Sequence, residues 1–403
     1  MRSELMTVLQ SRGYIHQCTD AERLDALAAA EAVTGYIGFD LTAPSLHVGN
    51  LVSVMLLRRL QQTGHRPIVL LGGGTTMIGD PSGKDEARQL LTPGVIAANK
   101  ASIARVFSRF IDLDRAIVVD NADWLAGLQY IPFLREVGAH FSVNRMLSFD
   151  SVRLRLEREQ PLSFLEFNYM ILQAYDFLEL GRRHGCRLQM GGSDQWGNIV
   201  NGVELSRRID ARELFGLTTP LITTADGAKM GKTAAGAMWL AAEMLSPYDY
   251  WQFWRNTHDA DVGRFLRLFT DVPLDEIARL EALAGAEVNA AKKALADAAT
   301  ALAHGPDAAA EAADTARRTF EEGAGGTALP TLAVTDAIGV IDALIGLGLA
   351  ASRNEARRLI AQGGVRAGSD LVSDPSATLA VGAEPVRLSA GRKRHGQLVR
   401  ASG

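Results

Sequence analysis

The chain has 403 residues, an unremarkable soluble composition and a net charge of −4, enough for two or three domains with a large core. No apolar run reaches membrane-spanning length, and the opening MRSELMTVLQSRGYIHQ carries charges where a secretory leader needs an apolar stretch. The two cysteines, Cys18 and Cys186, form neither a metal-binding spacing nor a disulfide framework, so the expectation is a cytoplasmic protein with no membrane partner. The charge is uneven: residues 351–403 hold nine Lys/Arg against four acids, about +5, leaving about −9 elsewhere. A basic terminal module is either a solvated tail or a surface for phosphate backbones.

In chain order, YIGFDLTAPSLHVGNL (36–51) first alternates like a strand and breaks at Pro44. Leu46, Val48, Val52, Met55, Leu56 and Leu60 then follow at helical spacing, with Gly64 as the stop. His47, Gly49 and Asn50 fall in the first helical turn, where unpaired backbone N–H groups would favour a phosphate. RPIVLLGG (66–73), RAIVVDN (115–121) and CRLQMGG (186–192) read as strands buried on both faces, with helices near 46–62, 97–110 and 163–180. This predicts a doubly wound, Rossmann-like α/β domain with a parallel sheet over 1–225, its ligand site at the carboxyl ends of the strands. The segment 121–185 is too long for one crossover and reads as an inserted helical subdomain. Residues 226–320 read as a loop followed by an alanine-rich α-helical domain, 321–335 as a Gly/Pro linker and 336–403 as a small α+β module.

Four further stretches carry candidate chemistry. LLGGGTTMIGDPSGKDEAR (70–88) runs from a strand into glycines and then presents Asp80, Lys84 and Arg88. Its spacing departs from a Walker A loop, and glycine turns after strands are common. In PLSFLEFNYMILQAYDFLELG (161–181), Ser163 and Glu166 form a capping box. Tyr169, Gln173 and Asp176 then share one stripe of an apolar helix, satisfied either by neighbouring backbone or by a polar ligand. QMGGSDQWGNI (189–199) sets Ser193 and Asp194 at a helix start, as an ordinary N-cap or as acceptors for ribose hydroxyls. ADGAKMGKT (225–233) places Lys229 and Lys232 on a glycine-containing loop able to meet a triphosphate.

Taken together and in order, HVGN (47–50), GDPSGK, NYMILQAYDF, GGSDQWGN and KMGKT (229–233) resemble the bacterial tyrosyl-tRNA synthetases, a class I aminoacyl-tRNA synthetase family. HVGN stands where the class has HIGH and KMGKT where it has KMSKS, with Asn50 in place of the second histidine, Ile37 where some relatives carry cysteine, and Thr233 for the last serine. The resemblance implies that Tyr36 and Asp176 bind a phenolic hydroxyl, that Asp80, Tyr169 and Gln173 hold an ammonium, and that Gln195 lies near a carboxylate. It implies that Gly38, Asp40, Gly49, Asn50, Ser53, Gly192 and Asp194 line the adenosine of ATP. Thr42 and His47 would contact the γ-phosphate, while Lys84, Arg88, Lys229, Lys232 and Thr233 would stabilise departing pyrophosphate. Mg²⁺ would arrive with ATP, and no tightly bound cofactor is expected.

The residue inventory agrees with that chemistry. A carboxylate attacking phosphorus is already ionised and needs no base, only positioning and positive charge. LAASRNEARRLIAQGGVRAGSDLVSD (349–374) resembles the RNA-binding domain named after small-subunit ribosomal protein four, with Arg353, Arg357, Arg358 and Arg366 as phosphate contacts. The helical domain would approach the anticodon of tRNA-Tyr, and the family works as a homodimer. Three rivals are a tryptophan-specific synthetase, whose substrate offers no phenol to Tyr36 and Asp176, a small-metabolite nucleotidyltransferase, which needs no basic tail, and a non-catalytic RNA-binding descendant, in which His47, Lys229 and Lys232 should have decayed.

Overall fold

A computed structural model describes residues 1–82, 91–225, 227, 230–233, 236–320, 329–382, 384–391 and 394–401. The chain divides into two compact units, Met1–Lys232 with Ala237–Ala241 and His258–Ala291, and Thr233–Gly236 with Ala242–Thr257 and Lys292–Gly403.

The first unit is built on six strands: β1 (Gln17–Cys18), β2 (Thr34–Asp40), β3 (Arg66–Gly72), β4 (Ile117–Asp120), β5 (Leu188–Gly192) and β6 (Phe215–Thr219). Their order is β1-β6-β5-β2-β3-β4; β1 runs antiparallel to β6 and the remaining neighbours are parallel. The expected α/β sheet is therefore present, and the chain changes direction of travel across the sheet between β2 and β5. That switch leaves a crevice at the carboxyl ends of those two strands. One expectation fails: β4 is not buried on both faces. It is the sheet edge, and Val118 is 43% exposed.

Three helices frame the crevice: α1 (Val48–Gln62), α2 (Tyr169–His184) and α3 (Trp196–Asp210). α1 begins with a capping box in which the His47 ring accepts from the first turn and Asn50 accepts from the His47 N–H, and it stops before Gly64 at φ +83°. The Ser163–Glu166 capping box opens a one-turn helix, Phe164–Phe167, directly ahead of α2. The segment between β4 and β5 is helical as expected and packs Val137, Met146 and Val152 against Met170, Ala174 and Leu178 of α2.

Residues 258–291, expected within the helical domain, group with the sheet unit instead. Arg12 donates to the Thr270 and Val272 carbonyls at 3.1 and 2.9 Å, and the Arg58 Nε reaches Asp271 at 3.0 Å. Arg59, almost fully buried, adds a 2.5 Å bridge to the same carboxylate. Three arginines thus carry the segment onto the first unit.

In the second unit, helix Pro247–Arg255, the part of helix Val288–His304 from Lys292 onward and helix Pro306–Phe320 lead to a five-stranded sheet. Its order is Asp370–Leu371, Val365–Ala367, Val386–Ala390, Arg394–Arg400 and Thr331–Val334. The last of these strands lies inside the stretch expected as linker. Val340, Leu344, Ala356, Ile360, Val365 and Leu388 form the core of this module.

Candidate functional site

A cavity of about 350 Å³ opens at the β2–β5 switch. Of the residues expected in the site, it brings together Tyr36, Gly38, Asp40, Thr42, His47, Gly49, Asn50, Ser53, Asp80, Tyr169, Gln173, Asp176, Gly192, Asp194 and Gln195. These come from β2, the start of α1, the loop after β3, α2 and the turn after β5, and they meet because parallel strands end together.

The deep end is polar but starved of partners. The Tyr36 hydroxyl is fully buried and makes no hydrogen bond among the described residues, and neither do Gln173 Oε1 or Gln189 Oε1. Asp176, 1% exposed, receives Asn121 Nδ2 at 2.9 Å and Trp124 Nε1 at 2.7 Å. Burial pushes its carboxyl up to about 7 against the pull of those two donors, with Asp40 and Asp120 adding like-charge repulsion. Burial, and then the nearby Asp176, holds the Tyr36 hydroxyl well above the usual phenol range, so it stays protonated. Orphaned buried polar atoms cost free energy unless a ligand meets them.

A directional hydrogen-bond chain crosses the cavity wall. Asn121 Oδ1 accepts from the Gly74 N–H at 2.8 Å, which fixes its amide so that Nδ2 donates to both Asp176 and Thr75 Oγ1, the latter at 3.0 Å. The Thr75 hydroxyl then donates to Asp40 at 2.9 Å, and Tyr169 donates to the same carboxylate at 3.2 Å. Asp80 accepts from Gln195 Nε2 and the Ser82 N–H, each at 2.9 Å. The described lining holds four aspartates and one histidine but no lysine or arginine, so it suits a cationic group.

The outer end corrects one expectation. The first-turn N–H groups of α1 are not open to an anion: Val48 donates to the Met238 carbonyl at 2.8 Å, Gly49 to His47 Nδ1 at 3.0 Å and Asn50 to the His47 carbonyl at 2.8 Å. Since Nδ1 accepts, the neutral His47 ring carries its proton on Nε2. Polar contact at this end therefore falls to side chains rather than to bare backbone.

The two signature stretches touch. A Cβ on Gly49 would lie 2.8 Å from the Met230 carbonyl oxygen and 2.7 Å from His47 Cε1, and Gly231, at φ +97°, packs against the Gly49 backbone. Only glycine permits this seam. Lys84, Arg88 and Lys229 lie outside the described residues, as do the side chains of Lys232 and Thr233.

Asn121, Thr75, Trp124 and Gln189 escaped the sequence reading. Asn121 ends an expected strand, and Gln189 is a polar residue inside one, so both carried a signal. Thr75 and Trp124 carried none. In the terminal module, Arg353, Arg357 and Arg358 sit exposed on helix Arg353–Ala361 and Arg366 on the following strand. Arg353 pairs with Asp342, and Arg366 donates to the Ser369 carbonyl at 2.8 Å.

Residues 28–321 match the family model described as tRNA synthetases class I (W and Y). The chain is 66% identical over 400 residues to a tyrosine–tRNA ligase of Zymomonas mobilis, covering 98% of each protein. It is 65% identical over 404 residues to one of Novosphingobium aromaticivorans, covering 99% of each. Among solved structures, a C-terminally truncated mitochondrial tyrosyl-tRNA synthetase of Aspergillus nidulans superposes with a TM-score of 0.71 at 31% identity, covering 78% of this chain and 94% of that one.

Proposed function

The chain belongs to the tyrosine-specific class I aminoacyl-tRNA synthetases, and from that premise we propose that the cavity between β2 and β5 is where it activates L-tyrosine. The enzyme joins tyrosine to ATP as tyrosyl-adenylate, releasing pyrophosphate, and then transfers tyrosine to the 3′ end of tRNA-Tyr. The observation that carries the site assignment is the protonated Tyr36 hydroxyl, unpartnered among the described residues, beside an Asp176 carboxyl fixed by Asn121 and Trp124.

A phenol donates its proton to Asp176 and accepts from Tyr36, satisfying both. Phenylalanine leaves both unmet, a penalty for which tyrosine-specific synthetases are the standing example. The ammonium meets Asp80, Tyr169 and Gln173, whose buried Oε1 lacks a donor among the described residues, and Gln195 lies near the carboxylate. Gly38, Asp40, Gly49, Asn50, Ser53, Gly192 and Asp194 take the adenosine. Tyrosine's carboxylate oxygen attacks the α-phosphorus and the bond to pyrophosphate breaks, so no general base is required. Thr42 and His47 contact the γ-phosphate, Lys84, Arg88, Lys229 and Lys232 supply positive charge to the leaving group, and the Thr233 hydroxyl donates to it. Mg²⁺ arrives on the ATP phosphates, as suits a cation that keeps most of its water.

Arg353, Arg357, Arg358 and Arg366 hold tRNA by its backbone. A homodimer is supported by apolar side chains left outside on the inserted segment, among them Tyr130, Ile131, Val143 and Phe164, the last 68% exposed. We place the enzyme in the cytoplasm. Charging of tRNA-Tyr with labelled tyrosine tests the reading: wild type should load it and leave tRNA-Trp uncharged with tryptophan, and Lys232→Ala should lose the activity. Charging of tRNA-Trp with tryptophan instead would overturn it.

A further inference from the structure

The loop that carries KMGKT is anchored at its leading end by residues with no role so far. Asp261, 3% exposed, accepts the Ala225 backbone N–H on Oδ2 at 2.7 Å. Its other oxygen takes Arg264 at 2.6 Å, and the same guanidinium nitrogen of Arg264 donates to the Thr223 carbonyl. Arg264 also lies over the Phe265 ring at 5.1 Å, which limits its swing. Asp261 itself is fixed by its own N–H, which donates to the His258 carbonyl at 2.9 Å, directly before helix Val262–Phe269.

The trailing end is held separately. Met230 donates to the Ile222 carbonyl at 3.0 Å, and Gly231 packs on Gly49 while its carbonyl accepts from Met238 at 3.0 Å. Thr223, Ala225, Met230 and Gly231 are therefore fixed points on either side of Lys229. A buried carboxylate committed to one backbone N–H and one guanidinium sets the position of that backbone more firmly than apolar packing does.

We propose that Asp261 and Arg264 are positioning residues for adenylate formation: they set where the lysine loop begins, and hence where its charges meet the leaving pyrophosphate. This rests on the reading of Lys229 and Lys232 given above. The clamp lies outside the tyrosine cavity, so its loss should affect the transition state and not tyrosine binding. Misplacing catalytic groups by about 1 Å is enough for losses of up to about 100-fold.

The test measures tyrosyl-adenylate formation with purified full-length Asp261→Ala, Arg264→Met, Arg264→Lys and Lys232→Ala, with the tyrosine dissociation constant taken separately by equilibrium dialysis. Arg264→Met, at a half-exposed position, is the decisive variant where Asp261→Ala does not fold. The expected result is a fall of about tenfold or more in kcat for Arg264→Met, partial recovery in Arg264→Lys, and tyrosine binding within about twofold of wild type. Unchanged kcat, or an equal loss of kcat and of tyrosine affinity, would overturn the proposal. Full activity in Lys232→Ala would instead overturn the underlying reading of the loop.

Discussion

Replacing Tyr36 by phenylalanine should move stability and binding in opposite directions. Among the described residues the hydroxyl is buried without a hydrogen bond, while the ring packs edge-on against Phe177 at 5.3 Å. Tyr36→Phe keeps the ring contact and removes the orphaned group. Leaving such a group unsatisfied costs about 1–3 kcal/mol, so the variant should be more stable by about 1 kcal/mol. For a unit of this size that is a rise of about 2–4 °C in melting temperature. In the proposed tyrosine complex the same hydroxyl would donate to the phenol oxygen, and losing one such bond removes about 0.5–1.5 kcal/mol. Tyrosine affinity should accordingly fall about two- to twelvefold. Differential scanning fluorimetry without and with tyrosine measures both at once: a higher starting temperature and a smaller upward shift on adding tyrosine. A lower melting temperature would show that the hydroxyl is already satisfied, and an undiminished shift that it does not meet the phenol.

Three further outcomes follow from the geometry. Tyrosine binding should weaken as pH falls through about 7, because protonated Asp176 no longer accepts the phenol proton; isothermal titration between pH 5.5 and 8.5 checks this, and a flat affinity contradicts it. Asp271 resists burial through its hydrogen bonds and ion pairs with Arg58 and Arg59, which hold its carboxyl down at about 2. Its contribution is thus full above the ordinary carboxylate range and is lost as pH falls through about 2. Asp271→Asn should cost about 1–2 kcal/mol in urea unfolding at pH 7, after allowing for partial exposure, with the gap closing as pH is lowered below 4. Gly49→Ala, a change that in a helix usually stabilises by about 0.5–1 kcal/mol, should here lower both stability and pyrophosphate exchange, since the new methyl meets His47 and the Met230 carbonyl. A stable, fully active variant would show that the seam between the two signatures is unimportant.

Features written in short-range patterns were legible. The strand-to-helix switch at His47, the capping box at Ser163 and the polar stripe Tyr169–Gln173–Asp176 all depend on residues within a turn or two of one another. What escaped depends on distant partners. The chain Asp176–Asn121–Thr75–Asp40 joins residues up to 136 positions apart, and nothing local to Thr75 marks it. The edge position of β4 follows from which strands pair, not from the apolar run RAIVVDN. The expectation of open N–H groups at the start of α1 failed because Met238, far along the chain, and the His47 ring take them. Residues 258–291 joined the sheet unit through Arg12, Arg58 and Arg59, a contact more than 200 positions long.

On this proposal Tyr36 and Asp176 select a phenol for activation by ATP. Pyrophosphate exchange, measured with tyrosine, phenylalanine and tryptophan in parallel, tests it most directly. Exchange is expected with tyrosine alone, with a selective loss of the preference over phenylalanine in Tyr36→Phe. Comparable exchange with phenylalanine by the wild-type enzyme, or none with tyrosine from folded protein, would contradict it.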